Sequence, residues 1–216
     1  MFVVTADQRG SRTSTDRVPD LLLALPPVAG TVLPFERTVG DEVQAVLDDP
    51  ASVVELALHL LRVGGWSIGI GAGAVQDPLP HSTREASGPA FIAAREAVEG
   101  AKTRGRPVAV AVRGADPIAA RDAEAVLTLL GSVVARRSPA GWAAVDAARD
   151  AVDRTGPDGP VQQLAAQRLG ISQQAVSQRL RAAQWAEERA ARPTVARLLA
   201  AAGLPEPVDG ALGADG

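Results

Sequence analysis

The stretch FERTVGDEVQAV, residues 35–46, decides how the N-terminal part of this chain folds. Apolar and β-branched residues on both sides of the Gly40-Asp41 pair predict two strands that fold back on each other as a hairpin. A second acid, Glu42, follows directly after Asp41. A carboxylate at the tip of a hairpin can shape the turn or bind a cation. Which of these roles Asp41 has depends on the residues that the fold brings near it.

The elements around this hairpin predict an α+β fold. Short β-branched runs predict strands in MFVVTA, WSIGIGAGAV and PVAVAVRG. Helical periodicity predicts helices in PASVVELALHLLRVG, in PAFIAAREAVEGAK, and in TSTDRVPDLLLALPP, which Thr13, Ser14 or Thr15 would cap. The order β-α-β-β-α-β, followed by a further helix and strand, predicts a ferredoxin-like βαββαβ sheet with an addition. Alternating glycines in GIGAG are more typical of close helix packing than of a nucleotide-binding turn.

The remaining chain is predicted to be helical and gives the domain boundaries. Residues 1–115 would form the ferredoxin-like, cyclase-like sheet domain, and residues 116–153 would form connecting helices. The turn-rich stretch RTGPDGP then leads into a helix-turn-helix domain over residues 160–202. Residues 203–216 are predicted to be a disordered tail because they are rich in glycine, proline and acids.

Composition and charge narrow the range of partners and compartments. The chain has no cysteine, which excludes disulfides and cysteine-ligated metals. No apolar run approaches the roughly 20 residues of a membrane span, and the N-terminus lacks signal-peptide features, so we expect a cytoplasmic protein. The net charge of −3 is unevenly distributed: residues 1–159 carry −4, whereas residues 160–201 carry six arginines and two glutamates, or +4. The positive segment predicts an anionic partner for the C-terminal region.

The segment QLAAQRLGISQQAVSQRLRAA, residues 163–183, predicts a helix-turn-helix. A first helix would end at Gly170, and Ser172 would cap the second. Ala166 supplies the small residue where the helices cross, and Val176 supplies the apolar residue that locks the second helix down. An ordinary packed helix pair is the alternative, but the turn spacing together with the local positive charge favours DNA binding.

The outward face of the second helix supplies side chains suited to the major groove. Glutamine can bind adenine with two hydrogen bonds, and arginine can bind guanine or phosphate. The predicted base-reading residues are Ser172, Gln173, Gln174, Ser177, Gln178 and Arg181. The predicted phosphate-binding residues are Arg168, Arg179 and Arg189. Regulators of this build usually read paired half-sites as dimers, so double-stranded DNA and a second copy of the chain are the expected partners.

A second candidate site follows from the predicted sheet. The stretch VTADQRGSR places Asp7 at the end of the first strand, beside the hairpin, where Asp7 and Asp41 can face each other. Two carboxylates at close range favour a divalent cation such as Mg²⁺. Backbone N–H groups of QRGS would bind phosphate where the chain enters the helix. The alternative is that Asp41 only shapes a tight turn and Asp7 only caps a helix.

These segments also resemble a known family. The stretches ADQRGSRTS, RTVGDEVQAVLDDPASVVELALHLL and SIGIGAGAV are similar to class III nucleotidyl cyclases. The resemblance implies that Asp7 and Asp41 bind metal and that Arg37 stands where a purine-selecting lysine is usual. It also implies that Arg95 matches an arginine that stabilises the transition state. The implied ligand is Mg²⁺ with a purine nucleotide.

The chain departs from the cyclase pattern at two positions. Phe91 stands at the place of the family's catalytic asparagine, and Gly88 at the place of the aspartate that reads adenine. Because an apolar ring cannot donate to developing phosphate charge, we expect nucleotide binding rather than turnover.

Over roughly residues 1–200 the chain is more similar still to the SatD-like family, small bacterial proteins that carry the GDEVQAV, IGIGAGAV and ASGPAFIAAREAVE blocks. That resemblance brings no settled biochemistry. The sequence therefore predicts a DNA-binding transcriptional regulator with an N-terminal ligand-sensing or dimerisation domain. The alternative is a divergent metal-dependent nucleotidyl cyclase.

Overall fold

The structure, a computed structural model, describes residues 1–11, 13–103, 105–106 and 108–204. Over these residues the chain is a mixed α+β protein with one five-stranded sheet and eight helices, which confirms the α+β part of the predicted fold class. In this described part, no helix has the combination of length and apolar character that crossing a membrane requires. The predicted disordered tail falls on residues 203–216, of which 205–216 lie outside the described residues.

The sheet is mixed, and its first strand lies at the centre. The strands are β1 (Phe2–Gln8), β2 (Thr31–Arg37), β3 (Glu42–Leu47), β4 (Trp66–Ala72) and β5 (Val110–Gly114). Their order is β2-β3-β1-β4-β5. Only β4 and β5 run parallel, and the other neighbours are antiparallel. The β2–β3 pairing confirms the predicted hairpin and places Asp41 in its turn.

The described residues form eight helices. They are α1 (Val18–Ala24), α2 (Pro50–Val63), α3 (Pro89–Ala101), α4 (Pro117–Arg136), α5 (Pro139–Thr155), α6 (Val161–Leu169), α7 (Gln173–Ala182) and α8 (Trp185–Ala202). Proline opens α2, α3, α4 and α5, since the first helical N–H has no partner within the helix. Side chains of Asp49, Asp116 and Ser138 cap α2, α4 and α5.

Helix α1 begins later than the sequence predicts. It starts at Val18, and none of the three predicted capping residues caps it. The N–H groups of Thr13 and Ser14 instead close a turn on the carbonyl of Gly10. Asp16 accepts the N–H of Val18 at 3.0 Å, in the manner of an Asx turn. The hydroxyl residues therefore belong to a loop and not to the helix start.

Helices cover both faces of the sheet. Helices α2, α4 and α8 share the main core with one face, and α3 covers the other. Two glycines of β4 permit the close approach of α3. A Cβ at Gly71 would lie 2.0 Å from the carbonyl oxygen of Ala90, and one at Gly69 would lie 2.3 Å from the nitrogen of Val98. The glycine alternation therefore serves helix packing, as the sequence predicted.

The C-terminal helices belong to two different apolar cores. Helices α5, α6 and α7, the helical unit, share a core of their own. Helix α8 returns to the sheet and buries Val195, Leu199 and Ala202 in the main core, which also contains residues of α4. The sheet together with the helices packed on it, including α4 and α8, is called the sheet unit. The predicted boundaries group α5 with the connecting helices (116–153) and α8 with the helix-turn-helix (160–202). In the structure, α5 instead packs with α6 and α7, and α8 packs with the sheet unit.

The junction between the helical unit and the sheet unit is built from charged and aromatic side chains. Arg62 of α2 binds both carboxylate oxygens of Asp146 of α5, at 2.6 and 2.7 Å. Trp142 of α5 packs against both cores. The guanidinium groups of Arg62 and Arg137 lie 3.9 and 4.5 Å from the centre of its ring. Such contacts depend on geometry, so they fix the orientation of α5 on the sheet unit.

Candidate functional site

The connection between α6 and α7 is a tight turn with a defined cap on each side. Gly170 has φ 64° and ψ 33°, a left-handed conformation in which glycine avoids a Cβ penalty. The N–H of Ile171 donates back to the carbonyl of Ala166 at 3.2 Å, which closes the end of α6. The Oγ of Ser172 accepts the N–H of Ala175 at 3.1 Å, which opens α7. The helix end and the helix start fall where the sequence predicted them.

The residues that were predicted to lock the two helices together are buried. Val176 is fully buried, and Ala166 and Leu180 are nearly so. All three belong to the core that α5 shares with α6 and α7. Because this stripe faces inward, the opposite side of α7 faces solvent.

Most of the predicted base-reading residues lie on that solvent side. Ser177 is half-buried, and its Oγ accepts a long hydrogen bond of 3.5 Å from Arg181. The exposed members of the set are Ser172, Gln173, Gln174, Gln178 and Arg181. The structure therefore brings the predicted base-reading residues together on one helix.

The predicted phosphate-binding arginines differ in their surroundings. Arg168 of α6 pairs with Asp150 of α5 at 2.8 Å, and the same carboxylate holds Arg154 at 2.7 Å. Arg179 is half-buried on α7. Arg189 lies on α8, stacks on Trp185 and lines a cleft between α5 and α8. Arg189 thus belongs to the junction between the units, and Arg168 is partly neutralised by an acid.

Asp7 and Asp41 line one open cavity of about 440 Å³. Asp7 is paired in register with Glu42, and the N–H of Gln8 donates to the carbonyl of Asp41 at 3.4 Å. The hairpin turn is therefore held against the end of β1. The other walls are formed by Arg9, Gly10, Ser11, Ser67 and Lys102. The structure brings the two predicted metal ligands together.

A lysine reaches the same cavity. The Nζ of Lys102, the single lysine of the chain, lies 2.9 Å from Asp7 and 2.7 Å from Glu99. Burial raises the pKa of Asp7, and repulsion from Asp41 and Glu99 adds to this effect, while Lys102 partly offsets it. Burial disfavours the charge on Lys102, but hydrogen bonds and attraction from its two carboxylates outweigh burial and raise its pKa. The lysine is therefore a resident counter-ion for Asp7.

Among the described residues, no counter-ion pairs with Asp41 in this way. Its Oδ2 is buried, and no described residue donates a hydrogen bond to it. The described residues contain no cluster of three or more acids, histidines or cysteines suited to a metal, so the chain offers Mg²⁺ only two carboxylates here. Mg²⁺ is often held by one or two carboxylates, with phosphate and water completing its shell. The site therefore fits a metal delivered with a phosphate group, in competition with Lys102, and does not fit a metal held by protein alone.

The two arginines implied by the cyclase resemblance lie apart from this cavity. Arg37 pairs with Asp16 at 2.8 Å and donates to the carbonyl of Gly40 at 2.5 Å. Arg95 is exposed on α3 and lines a separate cavity that also includes Phe91. Among the described residues, the walls of the acidic cavity include neither arginine. The structure therefore does not assemble the full set of ligand-binding residues that the resemblance implies.

Sequence reasoning missed the residue that organises the loop beside this cavity. The buried amide of Gln8 donates to the Oγ of Ser14 at 3.0 Å and to the carbonyl of Thr15 at 2.7 Å. Its Oε1 accepts the N–H of Arg17 at 2.7 Å. One signal was present, because Gln8 has the same strand parity as Phe2 and the other core-facing residues of β1. A polar side chain at a core-facing strand end requires partners.

The predicted phosphate contact of QRGS loses its structural basis. The N–H of Arg9 already donates to the carbonyl of Gly65 at 2.9 Å. Helix α1 begins only at Val18 and has seven residues, so these N–H groups do not lie at a helix start.

No protein-family model, no curated protein and no solved structure matches the chain. Function must therefore be argued from the surface of α7 and from the acidic cavity.

Proposed function

We propose that the chain is a DNA-binding transcription regulator in which α5, α6 and α7 form a helix-turn-helix unit and α7 is the recognition helix. One observation carries this proposal: the left-handed turn at Gly170 and the cap at Ser172 present a polar, exposed face of α7. The helix has ten residues, about 15 Å, which suits a major groove about 12 Å wide.

The side chains of α7 support base reading. Gln174 and Gln178 are four residues apart, so they lie on the same side of the helix. Both are exposed, and glutamine is suited to the N6 and N7 edge of adenine. Arg181 continues this side toward the helix end, where it can reach guanine or phosphate. Arg168 of α6 and Arg179 and Arg181 of α7 supply positive charge near this face, which attracts the phosphate backbone.

The sheet unit is assigned a sensing or dimerising role, with a ferredoxin-like fold of the SatD-like kind. The order β2-β3-β1-β4 with antiparallel neighbours supports a βαββαβ core, to which α3 and β5 are added. A cytoplasmic homodimer that binds paired half-sites follows from the helix-turn-helix assignment.

Selection of binding sites from random double-stranded DNA by the full chain tests the proposal. The wild type is expected to enrich one motif. Gln174→Ala with Gln178→Ala should weaken binding to that motif by about 1–3 kcal/mol for each lost base contact, with little change for unrelated DNA. The matched control is Gln162→Ala with Gln163→Ala, two exposed glutamines at the start of α6. Equal selectivity in the wild type and the α7 double variant would refute the role of α7.

A second candidate function rests on the acidic cavity. Asp7 and Asp41 share a cavity, and no described residue donates a hydrogen bond to the buried Oδ2 of Asp41, which favours a site for Mg²⁺ with a purine nucleotide. If the bound nucleotide were also converted to a cyclic product, the protein would be a divergent nucleotidyl cyclase. The placement of Arg95 and Phe91 in a separate cavity favours binding over turnover.

Thermal unfolding with a purine nucleotide and Mg²⁺ tests this second proposal. A ligand present at a hundred times its Kd stabilises the fold by about 2.7 kcal/mol, which raises the melting temperature by a few degrees. Asp41→Asn should remove the shift, and formation of a cyclic nucleotide by the wild type would establish catalysis. An unchanged melting curve with every purine nucleotide would leave Asp41 as a turn residue only.

A further inference from the structure

A cleft between α2, α5 and α8 is lined by three arginines. It has a volume of about 290 Å³ and lies at the junction of the helical unit and the sheet unit. Arg149 projects from α5, and Arg189 and Arg192 project from α8. Two acids, Glu55 of α2 and Asp153 of α5, also line it.

A single buried carboxylate lies behind these arginines. The side chain of Glu188 is fully buried and accepts hydrogen bonds from Arg137 at 2.6 Å, from Arg149 at 3.0 Å, and from Arg192. Arg137 is also fully buried, so it is unavailable to a ligand. One carboxylate thus serves three guanidinium groups. Glu55 also pairs with Arg192, but about half of its side chain is exposed.

The cleft has more hydrogen-bond donors than acceptors. A guanidinium has five N–H donors, and among the described residues Arg149 donates one hydrogen bond, to Glu188. No described residue accepts from the buried Nε of Arg192 or from the buried Nε1 of Trp185. Burial lowers the pKa of Arg192 to about 10. The guanidinium of Arg189 lies 4.7 Å from the ring centre of Trp185.

We propose that this cleft binds a compact oxyanion with two negative charges, a phosphate group, on Arg149, Arg189 and Arg192, on the side of the cleft away from Asp153's repulsion. Planar guanidinium groups match phosphate oxygens with paired hydrogen bonds. The volume accommodates a phosphate group with a small organic part, because drug-sized ligands occupy about 300–1,000 Å³. Glu55 leaves Arg192 for solvent when the anion enters, which its exposure allows.

The position of the cleft gives the bound anion a structural effect. Arg149 belongs to α5 of the helical unit, whereas Arg189 and Arg192 belong to α8, which is packed on the sheet unit. A phosphate held by all three therefore joins the two units. This site is separate from the acidic cavity, whose carboxylates repel a free anion, and from the outward face of α7.

Tryptophan emission of the full chain provides the test, because Trp185 lines the cleft. The protein is titrated with inorganic phosphate and, separately, with glycerol 3-phosphate. Saturable quenching is expected with at least one of them, and the comparison tells a free phosphate from a phosphate ester. The Trp185→Phe variant should lose the signal, which assigns it to this cleft among the three tryptophans.

Two substitutions should change the affinity in opposite directions. Arg189→Gln is expected to weaken binding at least about tenfold, since a hydrogen bond to a charged group is lost. Glu55→Gln is expected to tighten binding, because it removes a negative charge and frees Arg192. Arg197→Gln, at an exposed arginine of the same helix outside the cleft, should leave binding unchanged.

Three outcomes overturn the proposal. The first is no saturable signal with either phosphate compound at millimolar concentration. The second is equal weakening by Arg189→Gln and Arg197→Gln, which would indicate general charge attraction. The third is weaker binding in Glu55→Gln, which would show that Glu55 positions Arg192 instead of competing for it. Melting curves of all variants confirm that each is folded.

Discussion

At the scale of single residues, Glu188 holds the junction between the two units. Its carboxylate accepts from arginines at the end of α4, within α5 and within α8. Arg137 also donates to the carbonyl of Ala183 at 2.7 and 3.0 Å, so it closes the end of α7. The orientation of the proposed recognition helix therefore depends on a buried ion pair at its C-terminal end.

Removing this carboxylate should be strongly destabilising. Glu188→Gln leaves Arg137 buried without its counter-ion, and such losses cost about 3–5 kcal/mol in the free energy of unfolding. Urea unfolding followed by circular dichroism measures the change. The control is Glu187→Gln, an exposed neighbour, which should stay within about 0.5 kcal/mol of the wild type.

A double variant checks the cause of this loss. Adding Arg137→Met to Glu188→Gln should recover part of the stability, because the unpaired buried charge is then gone. If the stability losses of Arg137→Met and Glu188→Gln simply add in the double variant, the ion pair does not couple Arg137 to Glu188.

The sequence contains no sign of this buried pair. In WAEERAARP the two glutamates are adjacent, and either would pass for a solvated residue at a helix start. Only the packing of α8 onto both units decides that Glu188 is enclosed while Glu187 stays exposed. The closeness of Asp7 and Asp41 could be predicted, because local sequence places Asp7 at a strand end and Asp41 in a hairpin turn. The pairing of β1 with β3 then brings these two positions together.

At the scale of elements, local signals predicted most of the fold. The hairpin of residues 35–46, the proline helix starts and the Gly170 turn were predicted correctly because each is specified by neighbouring residues. The start of α1 was wrong because Gln8, a distant partner in β1, holds residues 14–17 in a loop. The packing of α5 and α8 depends on long-range contacts that no local pattern encodes.

The contact between β4 and α3 gives an element-scale prediction. Gly71→Ala would place a Cβ about 2.0 Å from the backbone oxygen of Ala90, so helix and strand must separate. Overpacking of this kind costs about 1–3 kcal/mol or more, and thermal or urea unfolding would show the loss.

The same chemical change on the other element serves as the control. A Cβ at Gly100 of α3 would meet the flexible end of Arg113 at 3.2 Å and the Cβ of Ala111 at 3.9 Å, an ordinary van der Waals distance. Gly100→Ala should therefore be neutral, or stabilising by up to about 1 kcal/mol, since alanine favours a helix more than glycine. A stable Gly71→Ala variant would show that α3 does not lie on β4 as closely as described.

At the scale of the whole molecule, a protein with a negative net charge needs a local region of positive charge to bind DNA. The net charge is −3, whereas residues 160–201 carry a net charge of +4. The helical unit further contains Asp150, whose carboxylate pairs with Arg154 and Arg168 at 2.7 and 2.8 Å. This acid reduces the positive potential beside α6, so the strength of DNA binding is held below what the arginines alone would provide.

Neutralising Asp150 should therefore strengthen DNA binding. Asp150→Asn frees Arg168, whose side chain is about half exposed, for a phosphate contact. Each added contact steepens the dependence of log K on log salt by about 0.9, and Arg168→Gln should leave that dependence unchanged or shallower. Fluorescence anisotropy with the selected DNA at several salt concentrations measures these slopes.

Asp122→Asn on α4 makes the same change in net charge away from the helical unit and should have a smaller effect. If Asp150→Asn instead weakens binding and flattens the slope, then Asp150 orients Arg154 and Arg168 toward the phosphates and does not compete with them.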